Sequence, residues 1–476
     1  MSEIIEIKNL LRELAIKDKI QELIEAWIEI WNQGYIDNFP KICIESLQKE
    51  LDVYDFAEYI LDKNETIEDR YSCYNRLNIH LHRRVTLENY EEAINIQKKL
   101  YKKLLLESID KIGYINCIEQ ENSDERLYIF TNLYFPKSVG HSPSTIVEIL
   151  NNELKKYFNQ VIIVITNPYH FPYPLAPLEY RLFDKTYSNI ENNCVYNYND
   201  ISFVRFGGYV SEALYLEFVN HQKFTSKDKF LLVGHSNIHF DLIKSDKKIS
   251  IPTSESSREF SNSSYQTSNY QTSNSVKIFK NIFNKKFKII QATSDWTRKT
   301  NLQIITKNKN IDENINIAIV GNRLDIELDI EFFKYLEKAI KIIPNLKFKI
   351  IGEQPKLDLI SKKLLKNIEF ISFISDLENY FIENIDFYLN PKRVGGGQSS
   401  IISIKANIPV ITLAYGDVYS AIQKKYFINS FDEIADFIKN YIEDKDFKIK
   451  IDNMNKEILI DSSKVFEDMI RTIVKI

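Results

Sequence analysis

Cysteine is scarce in this chain. Its 476 residues include four cysteines, Cys43, Cys73, Cys117 and Cys194, which are widely spaced and form no C-x-x-C pair. Disulfide frameworks and structural metal sites are built instead on closely and regularly spaced cysteines. We therefore expect reduced, mostly buried thiols, as in a cytoplasmic protein.

Long apolar runs and an excess of basic charge are also missing. No run reaches the roughly 18–20 residues that span a membrane, and residues 1–6 are acidic, unlike the start of a signal peptide. Lysine and arginine number 62 against 66 aspartate and glutamate residues, which gives a net charge of −4. Because nucleic-acid-binding proteins normally carry a basic excess, we expect no nucleic-acid partner, and at most peripheral membrane contact. The abundance of Ile, Asn and Lys indicates an AT-rich genome rather than a function.

The N-terminal part of the chain has a helical pattern. A length of 476 residues predicts two or three domains. Across residues 1–122, apolar side chains such as Leu23 and Trp27 recur at helical spacing, and no strand alternation interrupts them. This pattern predicts an all-helical N-terminal domain, with helices that include residues 52–62 and 90–111.

Strands and helices alternate in the rest of the chain, which predicts an α/β fold. The β-α-β order favours parallel sheets with right-handed crossovers. We predict one α/β domain over residues 123–308 and a second over residues 309–460. The predicted strands are 127–131, 161–165, 201–206, 230–233 and 287–291 in the first domain, and 315–320, 346–350, 367–373, one from about 386 and one from about 410 in the second.

Residues 253–275 are rich in serine, threonine and asparagine. They contain a tandem repeat, in which YQTSN at residues 265–269 is followed directly by YQTSN at residues 270–274. Such a composition offers little apolar surface to bury, so it predicts a surface loop.

The second predicted domain contains three consecutive glycines, Gly395, Gly396 and Gly397, between a strand and a helix. Glycine lets a backbone turn sharply and approach a ligand closely. We expect the helix to begin at Gln398 or Ser399, so that its free N–H groups and positive end point into the turn. Lys392 and Arg393 add positive charge just before it. The pattern predicts a phosphate or diphosphate site, although it matches neither common phosphate-binding motif, and a glycine turn without a ligand is the alternative.

This stretch resembles the donor-binding segment of GT-B glycosyltransferases, in which N-P-x-R-x-G-G-G-T-S is followed by a helix and a G-x-P-V strand. The matching residues are Asn390, Pro391, Arg393, Gly395, Gly396, Gly397, Ser399, Pro409 and Val410. One position departs from the family. Many retaining members have a glutamate in the helix, where it holds the donor's ribose, and this chain has Ile402. The ribose contact and the stereochemical course therefore stay open.

The resemblance implies a GT-B fold, with two Rossmann-like parallel-sheet domains facing each other across a cleft behind the helical N-terminal domain. It also implies that the C-terminal helix, residues 461–476, joins the first of these domains. Arg323 follows the first strand of the donor domain, where a basic residue of the family meets the diphosphate; an ion pair with Asp325 or Glu327 is the alternative. The full set of implied donor-binding residues is Arg323, Phe373, Lys392, Arg393, Gly395, Gly396, Gly397, Gln398, Ser399 and Ser400.

Three residues are candidates for the general base of an inverting reaction. His141 lies in G-H-S-P-S, which resembles the histidine-containing first loop of several GT-B enzymes, and a contact with the donor phosphate is its alternative role. His235 and Asp241 follow a later strand. We expect no metal and no cofactor beyond the nucleotide sugar, because the basic turn would stabilise the leaving diphosphate.

The function implied by the resemblance is glycosyl transfer. We expect a hexosyltransferase that moves a sugar from a nucleoside-diphosphate donor, UDP-linked, to a saccharide such as a surface polysaccharide. A protein-modifying glycosyltransferase, a nucleotide-sugar 2-epimerase and a non-catalytic GT-B binding protein are the alternatives.

Overall fold

The structure is a computed structural model. It describes residues 53–83, 90–120, 124–132, 134, 142–166, 195–198, 201–205, 212–234, 236–253, 260–269, 280–281, 283, 286–292, 313–321, 323–372, 374, 376–393 and 395–476. The predicted helices between residues 1 and 52 therefore lie outside the described residues.

Fourteen α-helices lie in the described ranges: α1 Val53–Leu61, α2 Ile67–Arg83, α3 Tyr90–Ile112, α4 Ser142–Leu154, α5 Glu212–Gln222, α6 Ile238–Leu242, α7 Leu324–Glu327, α8 Ile330–Ile342, α9 Lys362–Leu365, α10 Leu377–Asn384, α11 Gly397–Lys405, α12 Gly416–Ala421, α13 Ile434–Glu443 and α14 Lys445–Lys475. None of these described helices is long and apolar enough to cross a membrane.

The strands are β1 Ile115–Asn116, β2 Arg126–Thr131, β3 Gln160–Ile165, β4 Tyr196–Tyr198, β5 Ile201–Arg205, β6 Lys229–Val233, β7 Ile243–Lys244, β8 Lys248–Ile251, β9 Phe260–Ser261, β10 Tyr265–Asn269, β11 Lys280–Asn281, β12 Lys288–Ala292, β13 Ile315–Gly321, β14 Leu346–Gly352, β15 Ile368–Ile371, β16 Phe387–Leu389 and β17 Val410–Ile411.

Within the described residues, the first large sheet has eight strands in the order β12-β10-β8-β6-β2-β3-β5-β4. Its neighbours are parallel except β4 and β5, which are antiparallel. Its central strands are buried on both faces, and β6 is buried throughout. Such strands are continuous apolar runs, which is why the sequence predicts them well.

Helices cover both faces of this sheet. On one face, α1, α2 and α3 share a continuous hydrophobic core with strand residues such as Tyr128, Phe130 and Phe230. On the other face, α4 packs together with the end of α14. The described N-terminal helices thus form a layer on the first sheet.

The second sheet has five parallel strands in the order β15-β14-β13-β16-β17. Numbered within this part of the chain the order is 3-2-1-4-5, that of a doubly wound nucleotide-binding sheet. The chain reverses its winding direction between β13 and β16, and ligands of such sheets bind outside the strand ends at this switch point.

Helix α14 contacts both sheets. Ile451, Ile458 and Leu459 belong to the core of the second sheet, and Met469, Ile470 and Ile473 to the core of the first. The helix begins at Lys445, well before the predicted residue 461, because Asp444 caps its first turn by accepting hydrogen bonds from the N–H groups of Asp446 and Phe447.

The prediction of a surface loop over residues 253–275 is wrong for the first copy of the repeat. Residues 265–269 form strand β10, inside the first sheet between β8 and β12. Gln266 and Thr267 are buried there. Backbone pairing with two neighbouring strands stabilises a polar sequence in the interior, a contribution that side-chain composition does not reveal.

Candidate functional site

The glycine turn and Arg323 lie at the switch point of the second sheet. Strands β13 and β16 pair in parallel, with Ile317 opposite Phe387 and Ala318 opposite Tyr388. Arg323 follows the carboxyl end of β13 and the turn follows the carboxyl end of β16, so both lie at the same edge of the sheet. Two segments that are about 70 residues apart in sequence are thereby brought together.

The turn leaves the start of helix α11 without a side-chain cap. The helix begins at Gly397, slightly earlier than predicted, and its N-cap residue Gly396 has a φ of 99°, in the left-handed region that favours glycine. Because Gly396 has no side chain to accept hydrogen bonds, the first N–H groups of the helix stay available to an anion.

Arg393 is buried beneath this turn. Its Nε donates to Asn390 Oδ1 at 2.8 Å, and one terminal nitrogen donates to Glu327 Oε2 at 2.9 Å. The other terminal nitrogen donates to the carbonyl of Val320 at 2.6 Å and to the Tyr388 hydroxyl at 3.0 Å. Burial lowers the pKa of Arg393, but Tyr388 and Glu327 raise it by more, so that the group stays charged. These contacts join the turn to β13 and β16.

The turn needs glycine because Arg393 lies so close. A Cβ at position 396 would lie 2.7 Å from Nη2 of Arg393 and 2.8 Å from Asn390 Oδ1. At position 395 it would lie 3.0 Å from Nη2 of Arg323. The glycines therefore bring the backbone against both guanidinium groups.

Arg323 is the more accessible of the two arginines. Its side chain is 24% exposed, against 5% for Arg393. Its Nη2 lies 3.0 Å from Glu327 Oε1, so the alternative ion pair with Glu327 is present. Glu327 thus bridges both arginines, and Arg323 still lies beside Gly395, at the mouth of the turn.

The other predicted donor-binding residues differ in exposure. Lys392 is exposed and Gln398 is partly buried. Ser399 is partly buried. Ser400 is fully buried, and its hydroxyl donates to the carbonyl of Gly397 at 2.6 Å, which directs it into the protein. Phe373 lies outside the described residues.

Asp241 occupies the protein interior. It is fully buried; Oδ2 accepts from the Tyr101 hydroxyl at 2.7 Å, and Oδ1 accepts from Ser261 Oγ at 2.9 Å and from the N–H of Asn262 at 3.0 Å. Burial raises the pKa of Asp241, which the nearby Lys248 ammonium partly opposes. An acceptor hydroxyl cannot reach this carboxylate, so a role as general base does not fit Asp241. His141 and His235 lie outside the described residues.

A polar network fills the switch point of the first sheet, between β2 and β6. Asn237 Nδ2 donates to Asn132 Oδ1 at 2.8 Å and to Thr166 Oγ1 at 2.9 Å, and Asn132 Nδ2 donates to Asn75 Oδ1 of α2 at 3.2 Å. All four residues are buried. Helix α2 is therefore fastened to the strand ends of the first sheet.

Two acidic residues at the glycine turn are not among the predicted donor-binding residues. Glu327 joins the two arginines, and Asp417, in the first turn of α12, lies so close that its Cβ is 3.3 Å from the place of a Cβ on Gly397. For Glu327, the sequence did contain a signal, since Arg323 and Glu327 have the i,i+4 spacing that favours an ion pair on a helix. Within the described ranges, no group of three or more His, Cys, Asp or Glu side chains could hold a metal ion.

Comparison with known proteins finds similarity in structure only. No protein-family model matches the chain, and no curated protein matches it either. Among solved structures, a mutant of the O-GlcNAc transferase from Thermobaculum terrenum is 11% identical, with a TM-score of 0.55, and the match covers 99% of this chain and 85% of the other. Trehalose-6-phosphate synthase OtsA is 9% identical with a TM-score of 0.49, over 74% of this chain and 99% of its own.

The first of these matches extends over both large sheets, and its low identity limits the likeness to the fold. The fold class predicted from the sequence is confirmed: this chain has the parallel α/β architecture of the GT-B fold.

Proposed function

We propose that this protein is a glycosyltransferase that moves a hexose from a nucleoside-diphosphate sugar, UDP-linked, to a saccharide acceptor. One observation carries the proposal. Arg323, the glycine turn and the uncapped start of α11 converge at the switch point of a doubly wound sheet, where such folds bind nucleotides.

The chemistry of this site suits a diphosphate leaving group. When the bond to the anomeric carbon breaks, negative charge develops on the diphosphate, and preorganised N–H groups and cations stabilise that charge. The first N–H groups of α11, the planar guanidinium of Arg323 and the exposed ammonium of Lys392 are suited to this role. Because these groups supply positive charge, we propose that transfer needs no divalent metal, and turnover is then expected to be unchanged by EDTA.

The two α/β domains would bind different substrates. In this proposal residues 309–460 bind the donor, and residues 123–308 with the C-terminal helix carry the acceptor. The solved structure with a TM-score of 0.55 is an O-GlcNAc transferase, so UDP-GlcNAc is a rational first donor to test.

A non-catalytic sugar-nucleotide-binding protein is the second candidate. The side chain of Ile402, at the position of the family's glutamate, packs against the core of the second sheet and offers no polar contact to a ribose. A protein of this kind would bind the nucleotide without releasing it from a sugar.

The deciding experiment measures nucleotide release from UDP-, GDP-, CMP- and dTDP-sugars, including UDP-GlcNAc, with and without saccharide and peptide acceptors. We expect release from one donor, reduced by about 100-fold or more in Arg323→Ala, since removing one donor from a site of this kind has such effects. Lys334→Ala, an exposed substitution in the same domain, is the matched control.

The outcomes separate the candidates. Saturable binding without release favours the binding protein, and a C2-epimerised sugar formed without acceptor favours an epimerase. A panel with neither binding nor release by the wild-type protein rejects the proposed function.

A further inference from the structure

The position at which the family holds the donor's ribose offers no polar group in this chain. The side chain of Ile402, at this position, packs against the core of the second sheet. A ribose presents two neighbouring hydroxyl groups, and the two oxygens of a carboxylate can accept a hydrogen bond from each of them. An acidic residue on another element of the switch point is therefore the partner that a ribose requires.

The strand order indicates on which side of the glycine turn the nucleoside lies. In the proposed site the diphosphate lies at the ends of β13 and β16, and it joins a hexose to a nucleoside. Among the described strands, β14 and β15 lie beyond β13, and β17 alone lies beyond β16. The nucleoside, a ribose with a base, is longer than the hexose, so the side of β14 and β15 suits it. Because neighbouring strands are about 4.8 Å apart, a ribose bonded to the diphosphate reaches the end of β14.

Glu353 is the first residue after β14. The last residues of β13 and β14, Gly321 and Gly352, are opposite each other in the parallel pair. The N–H of Glu353 donates to the carbonyl of Gly321 at 2.9 Å, which fixes the Glu353 backbone against the end of β13. The Glu353 side chain is exposed. Its carboxylate is therefore accessible to a ligand at this edge of the sheet.

Glycines bring the end of β14 close to the glycine turn. Gly352 has a φ of 113°, in the left-handed region, and a Cβ on it would overlap the carbonyl oxygen of Gly321. A Cβ on Gly321 would in turn overlap Nη1 of Arg393, which lies beneath the turn. Glu353 is thus connected to the turn through close contacts alone, with Gly321 and Arg393 between them.

We propose that Glu353 accepts hydrogen bonds from the 2′- and 3′-hydroxyls of the donor's ribose, and that it selects ribonucleoside over deoxyribonucleoside diphosphates. This inference rests on the proposed function, because it names the class of nucleotide that the same site binds. In doubly wound sheets that bind dinucleotides, an acidic side chain fulfils this role. A 2′-deoxynucleotide would leave one carboxylate oxygen without its donor, which weakens binding.

Simple electrostatics predicts a different effect of Glu353. A carboxylate close to a diphosphate repels it, so that removal of its charge would strengthen the binding of every nucleotide to the same extent. A hydrogen bond to the ribose instead makes the effect of Glu353 depend on the 2′-hydroxyl. The comparison of a ribonucleotide with its deoxy form distinguishes the two explanations.

The test titrates UDP and dUDP, GDP and dGDP, and CDP and dCDP into the wild-type protein and into Glu353→Ala by calorimetry. We expect the wild-type protein to bind the ribose form of the recognised nucleotide about tenfold more tightly than the deoxy form, the usual effect of a hydrogen bond to a charged group. In Glu353→Ala this preference should disappear, because the ribose form binds more weakly and the deoxy form changes little.

Two further variants complete the design. Glu331→Ala removes an exposed carboxylate from the same domain, where it pairs with Lys334, and should keep the wild-type preference. Glu353→Gln keeps the size of the side chain and one acceptor oxygen, and its preference should be smaller than that of the wild type. If Glu353→Ala does not fold, Glu353→Gln decides: an unchanged preference overturns the proposal.

The results that contradict the proposal are specific. It is overturned by a wild-type protein that binds both forms of its nucleotide equally, or by a Glu353→Ala protein that keeps the wild-type preference. Equal tightening of both forms in Glu353→Ala would show that the carboxylate only repels the diphosphate. A wild-type protein that binds none of these nucleotides rejects the proposed function itself, which is a different result.

Discussion

At the scale of single residues, the two arginines near the glycine turn have different environments. The sequence places Arg393 just before the turn, whereas only the family resemblance implied that Arg323 meets the same diphosphate. Only the structure shows that Arg393 is buried with four hydrogen bonds, while Arg323 reaches the surface. Arg393 is buried because it contacts Glu327 and Val320 of β13, which lie far from it in sequence. The local sequence around Arg393 therefore does not predict its burial.

The first prediction concerns Arg393. Its replacement by alanine leaves the Asn390 side chain and the Val320 carbonyl without their donor and removes a cation from Glu327. We expect Arg393→Ala to lower the free energy of unfolding by about 3–5 kcal/mol, the usual cost of breaking a buried pair. Urea unfolding measures this change. Lys392→Ala, the exposed neighbour, should stay within about 0.5 kcal/mol of the wild type; equal losses in both variants would contradict the assignment.

The second prediction concerns pH. His239 is buried between the rings of Tyr71 and Tyr215, and its Nδ1 has no hydrogen-bond partner among the residues that the structure describes. Burial lowers the pKa of His239 from 6.5 to about 3. Below pH 6.5 the unfolded chain therefore binds a proton that the folded protein does not. As the pH decreases from 6.5 towards 3, the free energy of unfolding decreases by up to about 1.4 kcal/mol per pH unit.

Urea unfolding of the wild type and of His239→Gln, compared between about pH 7 and pH 5, isolates this contribution. The variant should lose less stability on acidification, since contributions from other groups cancel in the comparison. His221→Gln, at an exposed position, should behave as the wild type does. A His239→Gln protein with the acid sensitivity of the wild type would exclude His239 as its cause.

At the scale of elements, apolar strands were predictable from sequence and a polar strand was not. Strands β2, β3, β6, β13 and β14 are continuous or alternating apolar runs, and the predicted ranges differ from the observed bounds by a few residues at most. Strand β10 has the sequence YQTSN, whose composition is typical of loops. Its place in the sheet depends on pairing with β8 and β12, which no local pattern encodes.

The third prediction tests this strand. A proline in place of Thr267 removes a backbone N–H and introduces a ring into β10, which is an interior strand. Proline is nearly excluded from interior strands. We expect Thr267→Pro to cost about 3 kcal/mol or more, or to abolish soluble expression. Thr267→Val, which keeps the N–H and the β-branched shape, is the control and should remain folded. Thermal unfolding compares the two; a stable Thr267→Pro protein would mean that β10 is not an interior strand.

At the scale of the whole molecule, helix α14 contacts both sheets. Its first half contributes to the core of the second sheet and its last turns to the core of the first. Lys229, at the start of β6, also donates a hydrogen bond to the carbonyl of Val474. Because one continuous helix packs into both cores, unfolding of one sheet removes packing contacts from the other sheet. We therefore expect the wild-type protein to unfold in a single transition.

The last prediction separates the two cores. Ile473 is fully buried against the first sheet, so an aspartate there would place an unpaired carboxylate in an apolar core. We expect Ile473→Asp to split thermal unfolding into two transitions, with the first sheet unfolding earlier by at least about 10 °C. The recognised nucleotide should still raise the temperature of the later transition, since Arg323 and the glycine turn belong to the second sheet.

Ile460→Asp provides the matched control, because Ile460 lies on the same helix with 60% of its surface exposed. It should keep the single transition of the wild type. The contrary result is that the nucleotide no longer raises the temperature of the later transition of Ile473→Asp, in which case the donor site depends on the first sheet. That result would mean that the second sheet does not form the nucleotide site independently.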